Sequence, residues 1–153
     1  MDWDSYFMEM VYVVAKRSKD PNTKVGCVIV GPDNEIRSTG YNSFPRGIDD
    51  NVQERLERPE KYIWIEHADR NAIYNAARVG TSVKGCRMYL PWYPCTNCAR
   101  GIINSGICEV VIDNRDSNPW KGNDSRGRWQ EDIDRSKQML LEAGVVLREW
   151  DDR

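Results

Sequence analysis

The sequence lacks several features that would place it in a common class of protein. Its 153 residues contain no apolar run of about 18 residues, the length at which a membrane-spanning helix is suspected. The N-terminus has neither the basic segment nor the cleavage site of a secretory signal peptide. The 22 basic residues are outnumbered by 24 acidic ones, so the positive excess typical of proteins that bind long nucleic acids is missing. We therefore expect a cytoplasmic protein that binds neither a membrane nor a long nucleic acid.

The five cysteines are an odd number and do not suggest a disulfide framework. Only Cys95 and Cys98 form a close pair. We expect Cys27, Cys86 and Cys108 to be buried, unreactive thiols, because free cysteine is among the most buried residue types.

Alternating helical and strand patterns predict a layered α/β sheet in one domain that covers residues 1–153. The predicted strands cover residues 25–30, 35–41, 87–90, 110–112 and 145–147. Predicted helices begin near Trp3, Ile65, Cys95 and Trp129. The polar connection 42–61 is longer than most loops in compact domains, so we expect it to form part of a ligand pocket. A second polar loop, residues 114–127, carries Trp120.

An acidic residue lies on the apolar face of the second predicted helix. Ile65, Ala68, Ala72 and other apolar residues repeat at helical spacing, and Asp69 falls on the same stripe. Burying an unpaired carboxylate costs several kcal/mol unless a metal or a donor compensates for it. Asp69 is therefore expected to be a buried carboxylate that faces a site.

Both thiols of the Cys95–Cys98 pair are expected on the inner face of the third predicted helix. Pro94 suits the start of that helix and Gly106 suits its end. A helix N-terminus favours the thiolate form of cysteine through its dipole and its free N–H groups.

Taken together, His67, Cys95 and Cys98 indicate a zinc site. A lone histidine is more often structural, and a lone Cys-x-x-Cys is ambiguous between zinc, redox chemistry and no function. One imidazole and two thiolates suit tetrahedral Zn²⁺, and three protein ligands leave the fourth position for water, as in catalytic sites. A fully structural site, with Cys86 or Cys108 as fourth ligand, is the alternative.

These stretches carry a family resemblance. Residues 67–69 and 94–98 resemble the signature of the zinc-dependent cytidine deaminase superfamily, which is His-x-Glu followed by Pro-Cys-x-x-Cys. Residues 20–26 and 40–47 resemble the deoxycytidylate deaminase branch. The resemblance implies a three-layer α/β/α fold with a central mixed sheet of about five strands, and assembly as a homo-oligomer.

The activity that the resemblance implies is hydrolytic deamination of a cytosine deoxynucleotide, in which dCMP becomes dUMP and ammonia is released. His67, Cys95 and Cys98 would hold Zn²⁺, and Asp69 would carry protons between water and the base. In this branch of the family, dCTP and dTTP are expected effectors. The alternatives are a deaminase of another nucleobase or nucleoside, and an impaired relative that binds zinc and nucleotide.

The resemblance also suggests contacts with the substrate. Asn42 would hydrogen-bond the sugar, and the segments that would frame the base contain Ala68, Trp92, Tyr93 and Pro94. Lys24 and Arg46 are candidates for the phosphate because they are cations near matching segments, although a surface role suits each equally well. Trp120 would stack on the ring or anchor its loop.

The sequence departs from the family signature at the acidic residue. Asp69 is one methylene shorter than glutamate, so by bond geometry its carboxylate would stop about 1.5 Å short of the proton-transfer position, and small misplacements can cost about a hundredfold in rate. The helix could lie closer to the metal, the enzyme could be slow, or the substrate could differ. Glu66 is adjacent but is expected to point away from the stripe that holds Asp69.

Overall fold

The computed structural model describes residues 1–121 and 127–153, which form a five-stranded sheet with helices on both faces. The strands are β1 (Gly26–Val30), β2 (Ile36–Tyr41), β3 (Arg87–Leu90), β4 (Glu109–Asp113) and β5 (Val146–Trp150). The helices are α1 (Trp3–Ala15), α2 (Lys61–Trp64), α3 (Ala68–Val79), α4 (Thr96–Ser105) and α5 (Gly127–Glu142), with a short 3₁₀ helix at Gln53–Leu56. None of the described helices combines the length and the apolar character needed to cross a membrane.

The sheet is mixed, as the resemblance implied. Its strand order is β2-β1-β3-β4-β5. β1 runs antiparallel to both β2 and β3, whereas β3, β4 and β5 are parallel to one another. The carboxyl end of β3 therefore leads into the loop before α4, at an edge of the sheet where ligand sites are common in α/β folds.

Two apolar clusters cover the two faces of the sheet, because successive side chains of a strand point to opposite sides. Cys27 and Ile29 of β1 belong to the cluster that packs against α3, α4 and α5. Val28 and Val30 of the same strand belong to the cluster that packs against α1. β1 is thus buried on both faces, and the prediction of a layered α/β fold is confirmed.

Helix α3 lies unusually close to β2, and a glycine makes this approach possible. A Cβ atom at Gly40 would lie 2.3 Å from the backbone nitrogen of Ala72 and 2.5 Å from the carbonyl oxygen of Ala68. Any other residue at position 40 would push the helix away from the sheet. Because His67 is the N-cap of α3, this contact helps to fix where the histidine lies.

The structure corrects three sequence-based expectations. Ile65 does not belong to the predicted helix: it ends α2 in an extended conformation, and α3 begins only at Ala68, after the neighbouring Glu66 has paired with Ser43. The connection 42–61 is not a simple loop, because it contains the 3₁₀ helix and the first residue of α2. Cys108 is exposed rather than buried, and it lies in the short connection between α4 and β4.

Candidate active site

Two helix starts bring the proposed metal ligands together. His67 is the N-cap of α3, Cys95 is the N-cap of α4, and Cys98 lies in the first turn of α4. The Nδ1 atom of His67 is 3.5 Å from the sulfur of Cys95 and 3.3 Å from the sulfur of Cys98. A tetrahedral zinc ion, with Zn–N near 2.0 Å and Zn–S near 2.3 Å, requires N-to-S separations of about 3.5 Å. The donor set therefore fits zinc in both chemistry and spacing.

The two thiols differ in their affinity for a proton. The hydrogen bond with Cys98 lowers the pKa of Cys95, and the hydrogen bond with His67 lowers it further. Although burial acts in the opposite direction, the pKa of Cys95 falls to about 4. The same hydrogen bond, together with burial, raises the pKa of Cys98 well above its usual value. The hydrogen bond with Cys95 raises the pKa of His67. The cluster thus holds one thiol that readily becomes a thiolate beside another that keeps its proton until a metal ion displaces it from the sulfur.

The acid of the signature is buried at the same place. Asp69 is only 4% exposed, and its Oδ1 atom accepts a hydrogen bond from the Cys98 sulfur at 2.8 Å. Burial raises the pKa of this carboxyl. The sequence-based expectation of a buried carboxylate on the inner face of the helix is confirmed, because Asp69 lies in the first turn of α3 beside the metal-ligand cluster.

Glu66, next to the histidine, points elsewhere as expected. Its Oε1 atom accepts hydrogen bonds from the backbone N–H of His67 at 3.0 Å and from Nε of Arg70 at 2.7 Å. The glutamate thus joins the start of α3 to a cation one turn further along the helix. It supports the backbone of the histidine and leaves the acid position to Asp69.

A cavity of about 280 Å³ opens over this cluster. His67, Asp69 and Cys95 line it. So do six of the residues proposed to contact the substrate, namely Asn42, Ala68, Trp92, Tyr93, Pro94 and Trp120. The structure therefore brings segments that are distant in the sequence together around one cavity. Of these six residues, Asn42 and Trp120 are the furthest apart, by 78 positions.

Asn42 already has a structural task in the wall of this cavity. Its Oδ1 accepts from the backbone N–H of Val25 at 2.9 Å, and its Nδ2 donates to the carbonyl of Thr23 at 2.8 Å. An asparagine amide has two donor hydrogens and two acceptor lone pairs, so capacity for one further bond of each kind is left. Asn42 can therefore hold the loop before β1 and still meet a ligand.

The structure does not bring the two proposed phosphate ligands into the cavity. The ammonium group of Lys24 donates to the carbonyl of Ser18, and Arg46 lines a second cavity. Among the described residues, the Lys and Arg side chains that line the first cavity are instead those of Arg58 and Lys61.

Arg58 and Lys61 differ in their partners. Lys61 is buried and forms an ion pair with Asp20 at 3.2 Å, whereas the Arg58 guanidinium lies 5.9 Å from the centroid of the Tyr62 ring. Sequence reasoning placed pocket residues in the connection 42–61 but could not select these two among its many charged residues.

Helix α5 closes one side of the cavity, which the sequence pattern did not indicate. Trp129, Asp132 and Ile133 line the cavity from this helix. The predicted loop 114–127 falls partly outside the described residues, since 122–126 are not described. Its Trp120 lies at the cavity, and the backbone N–H of Trp120 donates to Oδ1 of Asn118 at 3.0 Å.

Comparisons with known proteins agree with this site. The family model of the cytidine and deoxycytidylate deaminase zinc-binding region matches residues 1–114. Human deoxycytidylate deaminase is 43% identical over 117 residues, which are 73% of this chain and 65% of that protein. The chain thus matches slightly less than two thirds of the length of this relative.

Two further proteins are similar over nearly the whole chain. An uncharacterized deaminase of Aliivibrio fischeri, from the luxG 3' region, is 38% identical over 145 residues, which are 95% of this chain and 91% of that protein. The crystal structure of the dCMP deaminase from the cyanophage S-TIM5 superposes with a TM-score of 0.71 at 20% identity and covers 96% of both chains. At that identity the superposition supports the fold alone.

Proposed function

The chain belongs to the family of the cytidine and deoxycytidylate deaminase zinc-binding region, and we propose that it hydrolyses the exocyclic amino group of a cytosine deoxynucleotide. In this reaction water and dCMP give dUMP and ammonia. The observation that carries the proposal is the buried carboxyl of Asp69 beside three converging zinc ligands at the base of a cavity. The named deoxycytidylate deaminases among the relatives support the choice of substrate.

In the proposed site His67, Cys95 and Cys98 hold the zinc ion. The bound ion supplies Lewis acidity, through which water becomes a nucleophile near neutral pH. Asp69 takes the proton that this water loses on one of its carboxylate oxygens. It then gives that proton to ring nitrogen N3 as the water oxygen forms a bond with C4. Asp69 next takes the remaining proton of this oxygen and gives it to the amino group, so that the C4–N bond breaks, ammonia leaves and C4 becomes a carbonyl.

The environment of Asp69 suits a group that both accepts and releases a proton. Burial raises the pKa of the carboxyl and so brings it nearer to the operating pH of a general acid and base. Trp92, Tyr93 and Pro94 form an apolar wall on which a planar base can lie.

For the phosphate of the substrate, the cavity itself favours Arg58. The Arg58 guanidinium has a planar set of donors that matches a phosphate group, and it lies at the cavity wall. Lys61 lies beside it, but its ammonium group is engaged with Asp20. We therefore propose Arg58 as the principal phosphate ligand and retain Lys24 and Arg46 as the weaker candidates.

We also propose regulation by dCTP and dTTP. A second cavity of about 490 Å³ shares the wall residues Asp20, Asn42 and Ile65 with the first. Its basic lining residues are Arg17, Lys19, Arg46 and Arg78. Several cations around a cavity of this size suit a triphosphate, and the shared wall provides a physical connection to the substrate site.

Assembly and location are further parts of the proposal. On α1, Trp3 is 56% exposed and Tyr6 is 42% exposed. We propose that a contact between copies of the chain buries this aromatic surface, which would stabilise a homo-oligomer. Sedimentation equilibrium of the purified protein tests this, and a purely monomeric species at all concentrations contradicts it. A cytoplasmic location is proposed as well, and cell fractionation tests it.

One experiment decides the main proposal. Zinc-loaded protein is incubated with dCMP, dCTP, deoxycytidine and cytosine, and the release of ammonia is followed for each compound. We expect dCMP to react with the highest kcat/KM. Absence of turnover with all four compounds, from protein shown to contain zinc, contradicts the proposed reaction.

A further inference from the structure

The first turn of α4 carries two of the three proposed metal ligands, yet its own sequence does not cap it. The first N–H groups of any α-helix have no partner within the helix and are commonly satisfied by the side chain of the N-cap residue. Here the N-cap is Cys95, whose side chain makes no capping hydrogen bond.

The missing cap comes from another helix. Asp132 of α5 accepts a hydrogen bond from the backbone N–H of Thr96 at 3.0 Å through Oδ2. Its other oxygen, Oδ1, accepts from the hydroxyl of Thr96 at 2.8 Å. The two residues are 36 positions apart, so this two-point contact, which we call the Thr96–Asp132 clamp, exists only in the folded chain.

The charge of Asp132 also suits its position. A carboxylate near a helix N-terminus interacts favourably with the helix dipole and with the free N–H groups. The neighbours of Asp132 on α5 do not face α4 in this way: Ile133 is buried in the core, and Asp134 is exposed and accepts a hydrogen bond from Gln130 of the same helix. Asp132 is thus the acidic residue of this turn that faces α4.

We propose that Asp132 is a positioning residue of the metal centre. Through the clamp it holds the first turn of α4, so that the sulfurs of Cys95 and Cys98 stay at 3.5 and 3.3 Å from Nδ1 of His67. This inference rests on the proposed assignment of these three residues as the metal ligands. It assigns to α5, which lies beyond the matched residues 1–114, a direct part in the geometry of the site.

Metal affinity is the readout that separates this role from others. Zinc affinity is measured by competition with a chelator, and the ligand geometry is followed in the cobalt-loaded protein through its thiolate-to-cobalt and ligand-field absorption bands. Asp132→Ala is expected to weaken zinc binding by about 10- to 100-fold, the range found when outer partners of metal ligands are removed. The cobalt bands are expected to shift or broaden.

Matched variants define the contact. Thr96→Val removes the hydroxyl but retains the backbone N–H and the shape, so it is expected to weaken zinc binding less than Asp132→Ala. Thr96→Ser retains both donors and is expected to bind zinc as the parent protein does. Asp134→Ala makes the same charge change on the exposed side of α5 and is expected to leave zinc affinity and the cobalt bands unchanged. In a double-mutant cycle Thr96→Val and Asp132→Ala are expected to be less than additive, because they remove the same contact.

Several results would overturn the proposal. Unchanged zinc affinity and unchanged cobalt bands in a folded Asp132→Ala protein would do so, as would a rise in KM for dCMP as the sole change. If Asp132→Ala does not give a folded protein by circular dichroism, the decision falls to Asp132→Asn, which keeps one acceptor, and to Thr96→Val; parent-like zinc affinity in both would then refute the clamp. Cys95→Ala distinguishes an error in the assignment of the metal ligands from an error in the clamp. If the Cys95→Ala protein retains zinc, the assignment of the ligands is wrong. If it loses zinc while the Asp132 variants bind zinc as the parent protein does, only the clamp is wrong.

Discussion

The Oδ1 atom of Asp69 lies 2.8 Å from the sulfur of Cys98. The acid proposed to carry protons therefore packs directly against a proposed metal ligand in the wall of the cavity. A glutamate at this position would carry its carboxylate about one carbon–carbon bond further, by ordinary bond geometry. This relationship makes the length of one side chain the main variable of the proposed reaction.

Asp69→Asn is expected to lose at least about a hundredfold in kcat, because positioned general acid–base groups contribute about 10²- to 10⁴-fold. The amide has nearly the same shape but cannot take up the proton. Zinc content, measured by atomic emission on the dialysed protein, is expected to stay the same. Turnover at the parent rate would remove Asp69 from the mechanism.

Asp69→Glu is expected to raise kcat for dCMP by about 10- to 100-fold, since the longer side chain brings the carboxylate within reach of the reacting atoms. Steady-state kinetics of the zinc-loaded protein measure this change. A fall in kcat with zinc retained would mean that the cavity is built around aspartate, and the parent enzyme would then not be limited by the reach of Asp69.

Cys95→Ala is expected to lose the zinc ion, because a three-ligand site cannot spare a thiolate. The matched control is Cys108→Ala, which removes an exposed thiol that donates a hydrogen bond to the carbonyl of Gly85. Metal analysis is expected to give zinc in the control and none in Cys95→Ala. Equal zinc contents in the two proteins would contradict the assignment of the ligand.

Arg58→Ala is expected to raise KM for dCMP by about 10- to 100-fold, which corresponds to the loss of one charge-assisted hydrogen bond. The constants for deoxycytidine are expected to stay the same, because it has no phosphate. Arg55→Ala is the control, since the Arg55 guanidinium lies 3.9 Å over the ring of Trp64 and does not line the cavity.

Lys24 and Arg46, the phosphate ligands suggested by the sequence, are tested by the same measurement. Lys24→Ala and Arg46→Ala are expected to leave KM for dCMP nearly unchanged, because neither residue lines the first cavity. A large rise in KM for either of these variants, without one for Arg58→Ala, would place the phosphate outside the cavity that holds Asp69.

Asp4→Asn is expected to lower the free energy of unfolding by about 1–3 kcal/mol at pH 7, the cost of removing hydrogen bonds to a charged group. Asp4 accepts from Arg148 at 2.6 and 3.1 Å and from the hydroxyl of Tyr89 at 2.5 Å. The bond with Arg148 lowers the pKa of Asp4 from 3.8. The stabilisation is therefore fully present above pH 3.8 and declines as the pH falls through the lowered folded-state pKa.

Urea denaturation of the two proteins at a series of pH values measures this difference. The gap between the parent protein and Asp4→Asn is expected to be constant from neutral pH down to about pH 5 and to shrink below pH 4. A gap that widens as the pH falls would contradict the role of the Asp4 charge.

The amino-acid sequence predicts the parts of this protein that depend on local pattern. The start of α1 at Asp2, the hairpin of β1 and β2, the end of α4 at Gly106 and the burial of Asp69 all follow from spacing, capping and turn residues. The three side chains proposed to bind zinc were also chosen from the sequence, and the structure brings them together. The helix ends, the hairpin and the burial of Asp69 are set by residues within a few positions of one another. The zinc ligands could be chosen because one imidazole and two thiolates suit few ions other than zinc.

Only the tertiary structure decides which distant side chains share a surface. The entry of Arg58 and Lys61 into the cavity, in place of Lys24 and Arg46, depends on how the connection 42–61 folds over it. The clamp between Thr96 and Asp132 depends on the packing of α5 against α4.

In these cases many charged residues are equivalent in the sequence pattern. Their roles are separated by contacts that close loops of tens of residues, and such contacts are determined by the packing of the whole core rather than by local propensity.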